Sequence, residues 1–333
     1  MKIAFTICSN NYLAQAKVLG DSLLQKDPNY KFVIGLCDEF SDAIDYTFFE
    51  NIEIIPVAKI NIYCFEEIIK KYHIVELNTS IKPSFFKYFI EKYDDLESII
   101  YFDPDIQIFN DFYSIEEFLK VNDILLTPHI LKPVSVDNLK PVENTFLNFG
   151  IYNLGFIALN PKSKNTSKLL NWWEERTLKI GFDKVCDGLF VDQLWINLVP
   201  LFFDKVKIIR ELGFNVAPWN LHERNNIKKI DQGYLMEDNS KLIFYHFSSY
   251  NYKTPNILSK YYNRYDKILL SSEVNKLYSQ YHEKLIKNKV DEFSKIDCFY
   301  SKEEISKIEK RKSVFTILKN NLLPPIVLRL LRK

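Results

Sequence analysis

Glycine is scarce: the 333-residue chain has eight. Neither G-x-G-x-x-G nor a P-loop motif occurs, so a Rossmann dehydrogenase and a P-loop kinase both lose support, because each needs glycines that let backbone approach phosphate. The five cysteines, Cys8, Cys37, Cys64, Cys186 and Cys298, are scattered, odd in number and form no C-x-x-C pair. They read as reduced, mostly buried thiols of a cytoplasmic protein. A formal charge of +1 gives no global drive toward nucleic acid, and no nucleic-acid partner is expected. No stretch is long and apolar enough to span a bilayer. Residues Met1 to Phe5 pass straight into a strand, so no signal peptide is expected. What the chain does have is aromatic side chains, 26 Phe and 20 Tyr, within an ordinary hydrophobic content of 47%. Its length fits one large domain or two smaller ones.

The most informative stretch is Tyr101-Phe102-Asp103-Pro104-Asp105. The apolar run Ile99 to Phe102 reads as a buried strand, and strands of an open α/β sheet deliver ligand-binding groups at their carboxyl ends. Two carboxylates there are costly to bury unless a cation joins them. Hard oxygens suit Mg²⁺ or Mn²⁺, which would keep open positions for a diphosphate. A solvated acidic turn is the competing reading. A haloacid-dehalogenase-type phosphatase is set aside, because its pair stands near the start of the domain and is followed by a small residue and Thr or Val, whereas Ile106-Gln107 follow here.

In chain order, Lys2 to Cys8, Phe32 to Leu36 and Ile52 to Val57 read as strands alternating with helices, which predicts a mostly parallel sheet. Ser9-Asn10-Asn11 is a turn before a helix whose face carries Tyr12, Ala16, Leu19 and Leu23. Thr6, Ser9, Asn10 and Tyr12 lie where a nucleotide could sit, and Ser9 and Asn10 read equally as helix caps. Ile81-Lys82-Pro83 opens a helix with an apolar stripe of Phe85, Phe86, Phe89 and Ile90. Its Lys82 and Lys87 read as solvated lysines or as contacts to the donor. Asp123 to Thr127 is a strand, and the segment from Pro128 to Asn144 reads as a loop over the site. Asn153 and Gly155 follow: the amide can read sugar hydroxyls or make a turn, and the glycine allows close backbone approach. Thr166 to Lys179 is predicted helical, with Trp172 and Trp173 partly buried. Gly188 to Ile196 reads as a helix start carrying Asp192 and Gln193. Trp219 reads as a sugar platform or as packing. His246, in the strand Leu242 to Phe247, reads as a core histidine or as a third metal ligand.

Residues after Pro255 look helical and polar, and Ser301-Lys302-Glu303-Glu304 is a capping-box signature. From Lys310 to Lys333 basic and apolar residues interleave without an acidic one. Such a tail can lie on an anionic membrane surface, or dock on its own domain or on a partner.

Taken in order, Phe5-Thr6-Ile7-Cys8-Ser9-Asn10-Asn11-Tyr12, Asp103-Pro104-Asp105, Tyr152-Asn153-Leu154-Gly155, Asp192-Gln193 and His246-Phe247-Ser248 with Lys253 resemble bacterial GT-A-fold glycosyltransferases, nearest the family 8 retaining type of lipopolysaccharide and capsule synthesis. The resemblance covers roughly Lys2 to Pro255. It implies an α/β GT-A fold: a mostly parallel mixed sheet flanked by helices over residues 1–253, with a helical extension over 254–333. Thr6, Asn10 and Tyr12 would line the nucleotide pocket, Tyr12 near the base. Asp103, Asp105 and His246 would hold Mn²⁺ or Mg²⁺, and Lys253 the diphosphate. Asp192 and Gln193 would sit near the anomeric carbon and the acceptor. The family's His-Phe-x-Gly-x-x-Lys-Pro-Trp ending is altered: Ser248-Ser249 follow His-Phe, and Thr254-Pro255 follow Lys253.

The expected function is therefore transfer of a sugar from a nucleotide sugar, UDP-linked, to a saccharide or glycolipid acceptor in surface polysaccharide synthesis, with retention. The protein is expected in the cytoplasm, at the inner face of the cell membrane. Two alternatives remain. A nucleotide-sugar-forming nucleotidyltransferase normally shows a glycine-rich basic signature near its first strand, where Ser9-Asn10-Asn11 stand here. A carbohydrate-binding module would leave the acidic pair and His246 without a purpose.

Overall fold

A computed structural model describes residues 1–267 and 270–301. The first unit is β1 (Lys2–Cys8), a 3₁₀ turn Asn10–Tyr12, α1 (Leu13–Lys26), β2 (Tyr30–Leu36) and β3 (Glu53–Pro56). Helices α2 (Phe65–Lys71), α3 (Ile74–Ser80) and α4 (Lys82–Lys92) lead to β4 (Ser98–Phe102), β5 (Ile106–Ile108), α5 (Tyr113–Val121) and β6 (Ile124–Pro128). Then come α6 (Glu143–Phe149), β7 (Tyr152–Leu159), α7 (Lys164–Ile180), the short pair β8 (Asp183–Lys184) and β9 (Leu189–Phe190), and α8 (Val199–Phe202). The remainder is β10 (Val206–Ile208), α9 (Leu221–Arg224), β11 (Lys228–Ile230), β12 (Gly233–Leu235), β13 (Phe244–His246), α10 (Ser272–Lys287) and α11 (Val290–Phe293).

Seven strands form one sheet in the order β10-β6-β7-β4-β1-β2-β3. Only β7 runs against its neighbours, pairing antiparallel with β4 and β6, so the expected mostly parallel α/β sheet is what forms. Its strands are apolar on both faces because both faces are covered. Along β1, Ile3, Phe5 and Ile7 pack with the aromatic stripe of α4 and with α7, while Ala4 and Cys8 pack on the side of α1. From β1 the sheet grows to β2 and β3 on one side and to β4 on the other. The reversal leaves a crevice at the carboxyl ends of β1 and β4, the place where open α/β sheets bind ligands.

Three local expectations change. The Asp192-Gln193 segment is a turn before a 3₁₀ helix (Leu194–Leu198), not a helix start; Val191, at φ 40°, turns the chain out of any helical path. Trp173 is wholly buried, its indole nitrogen donating to Asp192 O, while Trp172 is half-buried. The described residues from 255 to 270 are turns and one 3₁₀ segment, and the helix begins only at Ser272. That helix is not polar all round: Val274, Leu277, Tyr278, Tyr281 and Leu285 share a core with α1 and β13. The tail from Lys310 to Lys333, and residues 302–304 of the capping box, lie outside the described residues.

Candidate active site

Asp103 and Asp105 follow the last residue of β4, at the crevice. Asp103 is fixed by its own backbone, whose N–H donates to Gly155 O at 2.8 Å, and by the Tyr101 hydroxyl, which donates to its Oδ1 at 2.7 Å. Beyond the turn, β5 pairs antiparallel with β13, setting His246 opposite Ile106, and Phe247 N donates to Asp105 O at 2.9 Å. This small second sheet carries His246 across about 140 residues of sequence to the acidic pair. Its Nε2 lies 3.0 Å from Asp105 Oδ1 and 3.8 Å from Asp103 Oδ2. The carboxylate side chains are 31% and 22% exposed and the imidazole 4%, so the acids face the opening and the histidine backs them.

The three ligand atoms lie within 4.8 Å of one another. Neighbouring ligands of an octahedral ion, each about 2.1 Å from it, stand about 3 Å apart, so the spacing fits Mg²⁺ or Mn²⁺ and the donors are of the right kind. Charge points the same way. Burial pushes the Asp103 carboxyl up, partly offset by Lys82 and His246, and Asp105 adds to the rise. Burial alone would lower the His246 imidazole, but Asp105 and then Asp103 outweigh it and hold the group above its usual value. Asp192 is also raised by burial, with Lys82 working against it and Asp103 adding to it. Three carboxylates thus share one lysine and one imidazole, a deficit that a divalent cation would fill.

Lys82 is not a solvated helix lysine. It is 1% exposed, with its ammonium 2.7 Å from Asp192 Oδ2, 3.1 Å from Leu154 O and 4.1 Å from the centre of the Tyr101 ring. Lys87 pairs with Glu174 at 2.6 Å. Gln193 is committed as well: its Oε1 accepts from Leu154 N at 2.9 Å and its Nε2 donates to Phe149 O at 2.8 Å. The Asp192-Gln193 turn therefore clamps the start of β7 to the site.

At the end of β1, Thr6 is wholly buried, and its hydroxyl has no partner among the described residues. Ser9 does not cap through its side chain; its Oγ donates to Cys37 O and receives the Asn78 amide. Asn10 donates its backbone N–H to Asp38 Oδ2 and its amide to Glu39 O. Tyr12 sits at the 3₁₀ turn rather than on the buried face of α1. The residue is 46% exposed, while burial and then the charge of Asp105 push the phenol up to about 12. Lys253 is exposed, its ammonium over the Tyr252 ring, and it pairs with no carboxylate among the described residues. The turn closed by Thr254 N and Asn251 O, after Ser249 at φ 58°, directs it there.

Behind His246 is a polar layer that the sequence did not announce. Burial pushes His129 down to about 3, so the ring is neutral. Its Nε2 faces the Asn153 amide at 3.2 Å and its Nδ1 faces Ile151 O at 3.4 Å, which assigns the proton to Nδ1. Asn153 Oδ1 accepts from Gly155 N and from Asn215, whose amide also donates to Thr127. Trp219 packs edge-to-face on both imidazoles and donates to His129 O, which settles it as packing. The loop from Pro128 is held by the buried Glu223 carboxylate, which accepts from Leu131 N and Lys132 N and pairs with Arg224.

No family model matches the chain. It is similar to the uncharacterized protein YfnF of Bacillus subtilis (strain 168), 27% identical over 246 residues, which are 74% of this chain and 80% of that protein. It is similar also to YfnD of the same organism, 25% identical over 183 residues, 53% of this chain and 54% of that protein. Among solved structures it is similar to the galactosyltransferase LgtC in complex with donor and acceptor sugar analogues, at a TM-score of 0.47 and 16% identity, over 86% of this chain and 96% of that one. The bifunctional glycosyltransferase WbbM gives a TM-score of 0.49 and 16% identity, over 90% of this chain and 50% of that one. The chain thus spans about half the length of YfnD and of WbbM.

Proposed function

We propose that the protein is a metal-dependent glycosyltransferase that moves a sugar from a nucleotide sugar, UDP-linked, to a saccharide or glycolipid acceptor, with retention, in surface polysaccharide synthesis. The observation that carries the reading is the convergence of Asp103, Asp105 and His246 at the carboxyl ends of β1 and β4. A Mn²⁺ or Mg²⁺ ion held by these three residues would neutralise the leaving diphosphate. In the transfer the bond between the anomeric carbon and the diphosphate oxygen breaks, its electrons leave with the diphosphate, and the acceptor oxygen bonds to that carbon and gives its proton to the departing diphosphate oxygen. Asp192, held by Lys82 beside the site, supplies fixed negative charge for the oxocarbenium-like sugar. Thr6, Ser9, Asn10 and Tyr12 form the nucleotide side of the crevice, Lys253 is the residue to hold the diphosphate, and Asn153 and Gln193, their amides committed within the protein, support the wall behind the donor. A carbohydrate-binding module does not need a cation deficit in a cleft, and the nucleotidyltransferase reading lacks its glycine-rich loop.

The test is a thermal-shift panel of nucleoside diphosphates with and without Mn²⁺, because ligands that bind the native state raise its melting temperature. UDP is expected to raise it only with Mn²⁺, and Asp105→Ala to abolish the shift and UDP-sugar turnover while keeping the metal-free melting temperature. An equal UDP shift without metal, or an active Asp105→Ala variant, ends the metal reading.

A further inference from the structure

Each ligating carboxylate of a metal site is usually hydrogen-bonded from behind. Asp103 has such a partner, the Tyr101 hydroxyl at 2.7 Å. Asp105 has its contact to His246 and, among the described residues, no other hydrogen-bond donor to its carboxylate. A second tyrosine packs against the segment that holds the Asp105 backbone. Tyr281, on the buried face of α10, is 1% exposed. Its ring lies flat on Phe247, with centroids 3.9 Å apart and planes 3° from parallel. Phe247 is the residue after His246 and donates its backbone N–H to Asp105 O. The Tyr281 hydroxyl is buried and has no hydrogen-bond partner among the described residues. Burial pushes this phenol well above its ordinary value, and the charges of Asp105 and then Tyr12 add to the rise.

A buried donor without an acceptor is unfavourable, and a native protein that keeps one commonly has a use for it. We propose that Tyr281 is a positioning residue for the bound cation, its hydroxyl donating to Asp105 Oδ2 as Tyr101 donates to Asp103. When the ion takes Oδ1, the carboxylate turns, and Oδ2 gains the partner it lacks here. The helix α10, which looks from sequence like part of an appendage, thereby supplies the outer support of one metal ligand. The inference rests on the metal reading of the Asp103, Asp105 and His246 cluster.

The test uses the full chain and Mn²⁺ alone, with free Mn²⁺ counted by electron paramagnetic resonance and thermal unfolding followed on metal-free protein. Tyr281→Phe keeps the ring stack and removes only the hydroxyl. It is expected to bind Mn²⁺ about tenfold more weakly and, having lost an unpartnered buried polar group, to melt no lower than the parent. Mn²⁺ affinity within twofold of the parent overturns the proposal. So does a Tyr281→Phe protein that fails to fold, since the hydroxyl would then be a structural contact. Asp105→Ala separates the two levels: if it loses Mn²⁺ while Tyr281→Phe does not, only Tyr281 is wrong; if it keeps Mn²⁺, the metal site itself falls and the proposal with it.

Discussion

Lys82 carries an unusual load for one side chain. It neutralises Asp192, donates to Leu154 O and lies over the ring of the tyrosine that orients Asp103. Removing one partner of a buried pair leaves an uncompensated charge, which costs about 3–5 kcal/mol, whereas replacing both by apolar groups is often neutral. Lys82→Met is therefore expected to lose about 3–5 kcal/mol of unfolding free energy in urea, and Lys82→Met with Asp192→Leu to recover much of it. If Lys82→Met unfolds like the parent and only weakens the Mn²⁺-dependent UDP shift, the lysine is a donor contact and not the partner of Asp192. The residue scale also marks where sequence reading stopped. Asp103 and Asp105 read as a pair because their strand and spacing are local, whereas His246 read from its apolar strand as a core histidine as well as a third ligand, and the resemblance assigned it to the metal. Lys82 read equally as solvated or as a donor contact, since nothing local says that residue 192 would face it. His129 gave no signal: it is a lone polar residue whose partners, Ile151 and Asn153, stand 22 and 24 residues along the chain.

At the scale of elements, β7 holds the site together. It is the antiparallel strand, so its amino-terminal end meets the carboxyl end of β4, which brings Gly155 beside Asp103. A Cβ at Gly155 would stand 2.6 Å from His246 Cε1 and 2.7 Å from its Nδ1, closer than real contacts allow. The His246 ring is penned between this glycine and Trp219, with β13 fixed behind it by His246 N donating to Val216 O. Gly155→Ala is expected to drive the ring from the acidic pair and weaken Mn²⁺ binding about tenfold or more, the scale seen when metal ligands lose their support. Calorimetric titration with Mn²⁺ checks it, and unchanged affinity would mean that the ring has another place to go. The alternation of strands and helices predicted the parallel part of the sheet. The reversed direction of β7 was not readable, because a strand buried on both faces has the same apolar run either way. The Asp192-Gln193 turn was misread for a related reason: its conformation follows from the positive φ of Val191, a residue whose β-branched type argues against such a turn.

For the whole molecule, the question is where the folded unit ends. The motifs that resemble glycosyltransferases stop near Pro255, which suggested a boundary at residue 253. Packing tells against cutting there. Val274, Leu277, Tyr281, Leu285, Val290 and Phe293 sit in one apolar cluster with Leu19, Leu23 and Phe247. Farther on, Phe299 N donates to Asp38 Oδ1 at 2.8 Å, on the same carboxylate whose Oδ2 receives Asn10 N. Each large apolar side chain returned to water costs about 1.5–3 kcal/mol, so uncovering Leu19, Leu23 and Phe247 alone costs about 4.5–9 kcal/mol, comparable to the 5–15 kcal/mol by which a domain is stable. Ending the chain at 253 is expected to give protein without a cooperative melt. Deleting only 313–333 tests the other role proposed for this end of the molecule, an anchor on anionic lipid. That shorter protein is expected to keep the Mn²⁺-dependent UDP shift and to lose co-sedimentation with phosphatidylglycerol vesicles at low salt. If it still sediments with vesicles, the tail is no anchor. If residues 1–253 alone melt cooperatively and bind UDP with Mn²⁺, then α10 is dispensable, and the support it is proposed to give Asp105 is dispensable with it.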